Sequence, residues 1–356
     1  MTAIKGRGAG INPEGRFAKE RRTEVDDGWL LADEVPPRLK TTLQIDQART
    51  IISRNDSPDI VFDQSINPYR GCEHGCIYCY ARPSHAYLDL SPGLDFETRL
   101  FYKPDAAQLL EAEFRRRGYR PSMISLGANT DPYQPVEKDL RITRSLLEVM
   151  ARFRHPVGIV TKGAALLERD IDLLQDLARD NLAHVAISIT TLRPELKRTL
   201  EPRAASPQAR LRAMRAVSDA GIPTMVFFSP VIPFVNDAEM EAVLAAAHDA
   251  GARQASYIPL RLPYEVKDLF RDWLQTHVPL KAEHVMSLVQ QMRGGKDNDP
   301  NFGSRMRGQG DYAQVLRQRF NLACRRLGMN ASERPVTSAG HFRVPPRAGD
   351  QIELGF

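Results

Sequence analysis

Residues 67–80 read Asn67-Pro68-Tyr69-Arg70-Gly71-Cys72-Glu73-His74-Gly75-Cys76-Ile77-Tyr78-Cys79-Tyr80, and three of the chain's four cysteines stand here within eight positions. The spacing is C-x3-C-x2-C in a glycine-containing loop. Thiolates are the soft ligands that iron–sulfur clusters take, and three of them in one loop can wrap three corners of a cubane. The fourth iron is then open to chelate a small molecule and pass it one electron. Structural zinc is the competing reading, but zinc calls for four ligands, commonly as two C-x2-C-like pairs. The remaining cysteine, Cys324, is far downstream, and neither His74 nor His85 sits at a usual finger spacing. The charged and polar neighbours speak against three chance core cysteines. Cys72, Cys76 and Cys79 are therefore read as the ligands of a [4Fe-4S] cluster.

Outward from the loop, the chain alternates short apolar runs with helix-period segments. The runs are 65–69, 123–126, 157–160, 184–189, 224–228 and 255–259. The helical segments that follow them are 105–117, 140–153, 167–179, 207–220, 238–250 and 265–277. Six such units predict a parallel sheet, because each parallel pairing needs a crossover helix. The right-handed crossover rule curls them toward a barrel or a doubly wound sheet, and six units fall short of a full eightfold barrel. Residues 1–58 are expected as an N-terminal arm, partly flexible, 59–280 as the core and 281–356 as a basic C-terminal extension carrying a helix at 312–327.

A chain of 356 residues with 42% hydrophobic and 26% charged residues has the make-up of a globular protein with a large core. Its apolar runs are strand-sized and too short for a bilayer, and no basic-then-apolar leader opens it, so a cytoplasmic protein without membrane contact is expected. A cysteine cluster in a reducing compartment also points to a metal site. The net charge is +5, and residues 293–347 hold 11 Lys/Arg against 4 Asp/Glu. That basic segment is a candidate footprint for nucleic acid, with an arginine-rich solvated surface as the alternative.

The cysteine loop resembles the signature of the radical S-adenosylmethionine (SAM) superfamily, C-x3-C-x-φ-C with an aromatic at φ, a place filled by Tyr78. The similarity is closest to the branch around spore photoproduct lyase. It rests further on Tyr78-Cys79-Tyr80, Thr130-Asp131 after the second strand, Thr161-Lys162 after the third, and Ser188 in the fourth. The resemblance implies a partial (β/α)6 TIM-type barrel that binds SAM and a [4Fe-4S] cluster. It also implies a one-electron donor such as flavodoxin or ferredoxin. SAM would chelate the free iron, Tyr78 and Tyr80 would lie near its adenosyl portion, and Lys162 and Ser188 would make polar contacts. Asp131 or Gln134 would meet its amino group. The reaction implied is reductive cleavage of SAM to a 5′-deoxyadenosyl radical that abstracts hydrogen from a substrate. Nucleic acid or a nucleotide-like molecule is the leading substrate class, with a small metabolite or a peptide next. A non-catalytic iron–sulfur or zinc module that binds nucleic acid is the reading from outside enzymes. One departure matters. The branch carries a cysteine hydrogen donor just before its Thr/Ser-Asp element, whereas Ala128 and Asn129 stand there in this chain.

Other polar positions have plainer alternatives. Glu137 is expected to cap the helix after it, and Asn236 or Asp237 the helix at 238–250. Arg203 is expected either on an anionic ligand group or in a salt bridge to Glu201. Cys324 shares a helix face with Leu316, Phe320 and Leu327 and is expected to be an inert core thiol. The glycine- and arginine-rich stretch 303–310, with Arg305 and Arg307, is a candidate phosphate loop with an exposed turn as its alternative.

Overall fold

The computed structural model describes residues 4–18, 39–331 and 338–346. Its strands are β1 (Thr42–Ile45), β2 (Ile52–Arg54), β3 (Gln64–Ile66), β4 (Tyr69–Arg70), β5 (Arg99–Tyr102), β6 (Ile124–Leu126), β7 (Val157–Thr161), β8 (Ala183–Ser188), β9 (Thr224–Val231) and β10 (Gln254–Pro259). The main sheet runs β10-β9-β8-β7-β6-β3-β2. Every pairing from β3 through β10 is parallel, and β2 adds antiparallel to β3 at the edge. Six parallel strands in an open array, each followed by helices, make the expected partial (β/α)6 barrel. A closed barrel is not formed by the described strands.

Physical causes of the fold are local and repetitive. Strands β3 and β6 are buried at every position and β7 and β8 at nearly every one, and the longer β7 and β8 accordingly read as mostly apolar runs. The helix Ile142–Phe153 buries Ile142, Leu146, Leu147, Val149, Met150 and Phe153 and leaves Arg141 and Glu148 outside. The helix Pro207–Asp219 begins at Ser206, whose side chain accepts the Ala209 N–H, with Pro207 in the first turn.

Three features depart from the expected outline. The apolar run 65–69 divides: Gln64–Ile66 joins the main sheet, while Tyr69–Arg70 pairs with β5 in a second sheet of order β1-β5-β4. Pro68 separates the two pieces because it has no N–H for a ladder. Second, the segment read as an arm supplies β1 and β2, and residues 4–18 dock through Gly8 and Ala9 on Glu97, with Gly8 against Gly75 of the cysteine loop; residues 1–3 and 19–38 lie outside the described residues. Third, the C-terminal helix Gly310–Leu327 packs Ala313, Leu316, Phe320, Ala323 and Cys324 into the same core as the barrel. Cys324 is buried there, as expected, and burial pushes its thiol up to about 11. Residues 338–346 return to the barrel, where Phe342 packs on Phe114, Phe153 and His155.

Candidate active site

The cysteine loop leaves the end of β4 and is held mostly by backbone bonds. The Cys72 N–H donates to Phe96 O at 3.0 Å, Ile77 N–H to Leu200 O at 3.1 Å, Cys79 N–H to Cys76 O at 3.2 Å and Arg203 N–H to His74 O at 3.2 Å. Gly75 has φ +67°, a left-handed conformation that suits glycine. Two buried charges brace the loop from beneath. Arg82 donates to Cys76 O at 2.9 Å, to Pro92 O and Gly93 O at 3.1 and 2.9 Å, and to the Glu97 carboxylate at 2.5 Å. Both Arg82 and Glu97 side chains are fully buried, so neither charge is tolerable without the other.

Glu97 also gathers the N-terminal segment. Its carboxylate accepts the Gly8 and Ala9 N–H groups, each at 2.9 Å, while Arg7 donates to Glu97 O at 2.9 Å. Gly8 lies so close to the loop that a Cβ there would stand 1.8 Å from Gly75 O. Gly8→Ala is accordingly expected to destabilise the chain by about 1–3 kcal/mol, the cost of overpacking a filled site. The midpoint of denaturant unfolding measures the loss.

On the barrel side, Tyr78 is buried and its hydroxyl donates to Glu201, with Thr190 Oγ1 3.1 Å away. Glu201 also accepts Thr190 Oγ1 at 2.5 Å and a bond from Arg210. Arg210 donates in addition to Ser188 O at 2.9 Å and Ala205 O at 3.0 Å. Burial by itself would raise the Glu201 carboxyl, but the adjacent Arg210 and Lys162 cations reverse this and hold it at about 2. Arg203, expected either on an anionic ligand group or in a salt bridge to Glu201, pairs with Glu73 at 3.0 Å.

Asp131 ties the second and third strand ends together. It accepts Thr161 Oγ1 at 2.6 Å, Lys162 N–H at 2.7 Å and Tyr133 N–H at 2.9 Å, and His74 Nδ1 lies 3.2 Å away. Its burial favours the acid, yet His74 and these hydrogen bonds prevail and hold the carboxyl at about 2. Lys162 Nζ sits 5.8 Å from the centre of the Tyr78 ring. Ser188 is buried at the end of β8. Tyr80 donates its hydroxyl to Ala128 O, yet its ring remains half exposed at 51%. Asp131, Lys162 and Ser188 stand at or just beyond the carboxyl ends of β6, β7 and β8, and Tyr78 and Tyr80 reach that end of the sheet from the cysteine loop.

Several neighbours take other roles than expected. Gln134 is wholly buried, and its amide is spent on Glu73 N–H at 2.9 Å, Thr130 Oγ1 at 3.1 Å and Gly71 O at 3.4 Å, which leaves Asp131 as the acidic group there. Glu137 does satisfy an N–H at the start of the next helix, that of Thr143 at 3.0 Å. Asn236 closes the loop after β9 by bonding Ile232 N–H, Thr190 O and Pro230 O at 2.6, 2.8 and 2.9 Å instead of capping a helix. Arg305 binds Asp59 at 2.5 Å and Ser57 Oγ at 2.7 Å, so it is not a free phosphate ligand.

The donor set suits a cluster better than a single ion. Among the described residues, no three His, Cys, Asp or Glu side chains converge on a point that would hold one metal ion. A cubane has no such requirement, because each thiolate takes a different iron. Burial pushes the Cys76 thiol up to about 12 and Cys72 well above its usual value. Thiols that resist ionisation by themselves become thiolates when a metal supplies the missing positive charge.

Comparison with known proteins agrees with this geometry. The family model of the Radical SAM superfamily matches residues 66–247. An uncharacterised protein of Mycobacterium tuberculosis is 35% identical over 277 residues, covering 77% of each chain. One from Methanocaldococcus jannaschii is 29% identical over 174 residues, 49% of this chain and 62% of its own length. Among solved structures, spore photoproduct lyase complexed with a dinucleoside spore photoproduct superposes with a TM-score of 0.55 at 17% identity, covering 81% of this chain and 80% of that one. Half-barrel, cysteine loop and family match coincide on the same residues: the chain belongs to the radical SAM superfamily. It is an enzyme of that class whose cofactors are a [4Fe-4S] cluster and SAM, and its fold is shared with spore photoproduct lyase. No helix among the described residues is long and apolar enough to cross a membrane.

Proposed function

We propose that this enzyme performs hydrogen abstraction on a nucleic-acid or nucleotide-like substrate, with Cys72, Cys76 and Cys79 as the cluster ligands. When bound, the cluster and SAM supply one-electron cleavage to a 5′-deoxyadenosyl radical, with flavodoxin or ferredoxin as the class of electron donor. The chain's own residues hold and orient. Asp131 offers a carboxylate to the SAM amino group, and Lys162 a cation to its carboxylate. Tyr78, pinned by Glu201, gives the adenosyl portion a fixed aromatic neighbour, and Tyr80 and Ser188 complete the enclosure. Burial of Tyr78, Glu201 and Arg210 keeps that side of the site dry.

The observation that carries the substrate class is the arginine surface. Arg307, Arg317, Arg325 and Arg326 are all exposed along the C-terminal segment, and among its described residues basic groups outnumber acidic ones; Arg334 and Arg347 lie outside the described residues. The solved neighbour's dinucleoside ligand is of the same chemical class. The hydrogen donor of that branch has no counterpart, since Ala128 and Asn129 occupy the place and Ala128 O is engaged by Tyr80. A reaction other than dimer reversal by that route is therefore proposed.

The test is anaerobic reconstitution followed by assay of 5′-deoxyadenosine with and without DNA and RNA, single-stranded and duplex. Nucleic acid is expected to stimulate formation several-fold. Stimulation by a small metabolite or a peptide, with no response to any nucleic acid, would replace the substrate reading.

A further inference from the structure

At the barrel mouth, the Arg261 guanidinium makes no ion pair with a carboxylate among the described residues. Arg261 follows the end of β10, while Tyr80 follows the last cluster cysteine. In the sheet, β10 and β3 are separated by four strands, yet the Arg261 guanidinium carbon lies 5.9 Å from the centre of the Tyr80 ring. The cysteine loop and the segment after β10 therefore approach each other at the mouth, and Arg261 over Tyr80 spans the gap.

The polar contacts of Arg261 are poor. Its Nε is buried without a hydrogen-bond partner, and Nη1 reaches Met306 Sδ at 3.2 Å, a weak acceptor. No carboxylate among the described residues lies within ion-pairing distance of it. Asp59 is occupied by Arg305 at 2.5 Å and Gly303 N–H at 2.6 Å, and Asp299 by Ser304 at 2.5 Å and Asn301 N–H at 2.9 Å. A second buried guanidinium, Arg293, donates to Pro259 O and Leu260 O at 2.8 Å and to Arg305 O at 2.7 Å, with its Nε also unpartnered. Burial and the neighbouring Arg305 both press the Arg261 pKa down. Three guanidiniums crowd together with only two carboxylates, both already engaged. Such an arrangement is costly when empty and is relieved by an anion that accepts from a planar fork of N–H groups.

Stacking surfaces flank the same place. Tyr80 is 51% exposed, and Phe302, under the Arg305 guanidinium at 4.4 Å, is 60% exposed. Aromatic faces beside an unpaired arginine suit a base with its phosphate better than a bare carboxylate. Lys162 is deeper, against Tyr78, and is already accounted for by SAM.

We propose that Arg261 is a substrate-anchoring residue whose guanidinium, laid over Tyr80 at the barrel mouth, takes a phosphate of the nucleic-acid substrate. This rests on the substrate class proposed above. The test uses the full chain, anaerobically reconstituted, with fluorescein-labelled single-stranded DNA and RNA as probes in anisotropy titrations over a range of salt. Arg261→Gln is expected to weaken binding roughly tenfold and to lower the salt slope by about one phosphate. Arg261→Lys is expected to restore the slope and only part of the affinity, because lysine keeps the charge and loses the fork. Iron content and thermal midpoint should match the parent in both variants. An Arg261→Gln variant with unchanged affinity, or one that loses iron or thermal stability in proportion to its lost binding, would overturn the proposal and leave Arg261 as a packing residue over Tyr80. If the parent binds neither DNA nor RNA, the substrate class fails separately, and inorganic pyrophosphate becomes the probe. Thermal protection of the parent that Arg261→Gln abolishes would then uphold the anion site, and equal response of the two would overturn it.

Discussion

Cys76→Ala is expected to abolish 5′-deoxyadenosine formation, and Cys72→Ala or Cys79→Ala to do the same. Each cysteine occupies a backbone position set from outside itself: Cys72 by Phe96 O, Cys76 by Arg82, Cys79 by the turn back to Cys76 O. The loop is held in place by these bonds, and the one cysteine outside it, Cys324, is buried in the helix Gly310–Leu327. A cubane bound at two corners is lost or misplaced. Iron and sulfide per chain after anaerobic reconstitution should fall from about four of each toward none, the composition of the cluster itself. The electron paramagnetic resonance signal of the reduced protein, and its perturbation by SAM, should vanish with them. Cys324→Ala is the control, since that thiol is packed with Leu316 and Phe320 in the barrel core. A cluster that survives Cys76→Ala but not Cys324→Ala would refute the ligand assignment.

Glu201→Gln should produce a large loss of stability, about 3–5 kcal/mol, the penalty for stranding one member of a buried ion pair. Arg210 and Glu201 have side chains exposed by 1% and 0%, and Lys162 is near enough to add its charge. An amide still bonds Tyr78 and Thr190, so the loss is one of charge balance and not of shape. The midpoint of denaturant unfolding measures it. The double variant Glu201→Gln/Arg210→Met should recover most of the loss, because it removes the stranded charge. Equal stability of Glu201→Gln and parent would mean that water reaches Arg210.

How much of this is visible in the sequence depends on whether a feature is periodic, local or neither. The six parallel strands and their helices repeat a pattern of burial, so 157–160 and 184–189 can be located within a residue or two of β7 and β8. The cysteine loop is local, and its three thiols are their own signal. The supports are neither. Arg82 and Glu97 stand 15 positions apart without a motif, and Arg210 is one of several arginines in an ordinary amphipathic helix. Nothing in the spacing of Glu201, Arg203 and Arg210 says which arginine turns inward. The burial of the helix Pro207–Asp219 against β8 decides it. Arg261 was invisible for the same reason, since its meaning depends on which carboxylates other arginines have already taken.

The docking of residues 4–18 has an evolutionary corollary. Glu97 recognises the main-chain N–H groups of Gly8 and Ala9, which every amino acid except proline possesses. Selection on this segment therefore acts on particular positions: Arg7, whose guanidinium reaches Glu97 O, Leu39 O and Thr41; Gly8, where any side chain meets Gly75 O; Asn12, whose Oδ1 accepts the Leu94 N–H; and Arg16, which pairs with Glu265. Across descendants of the same ancestor, these positions should hold while the residues between them drift. A family profile that begins at the first barrel strand would then pass over a segment whose Gly8 lies directly against the cluster loop.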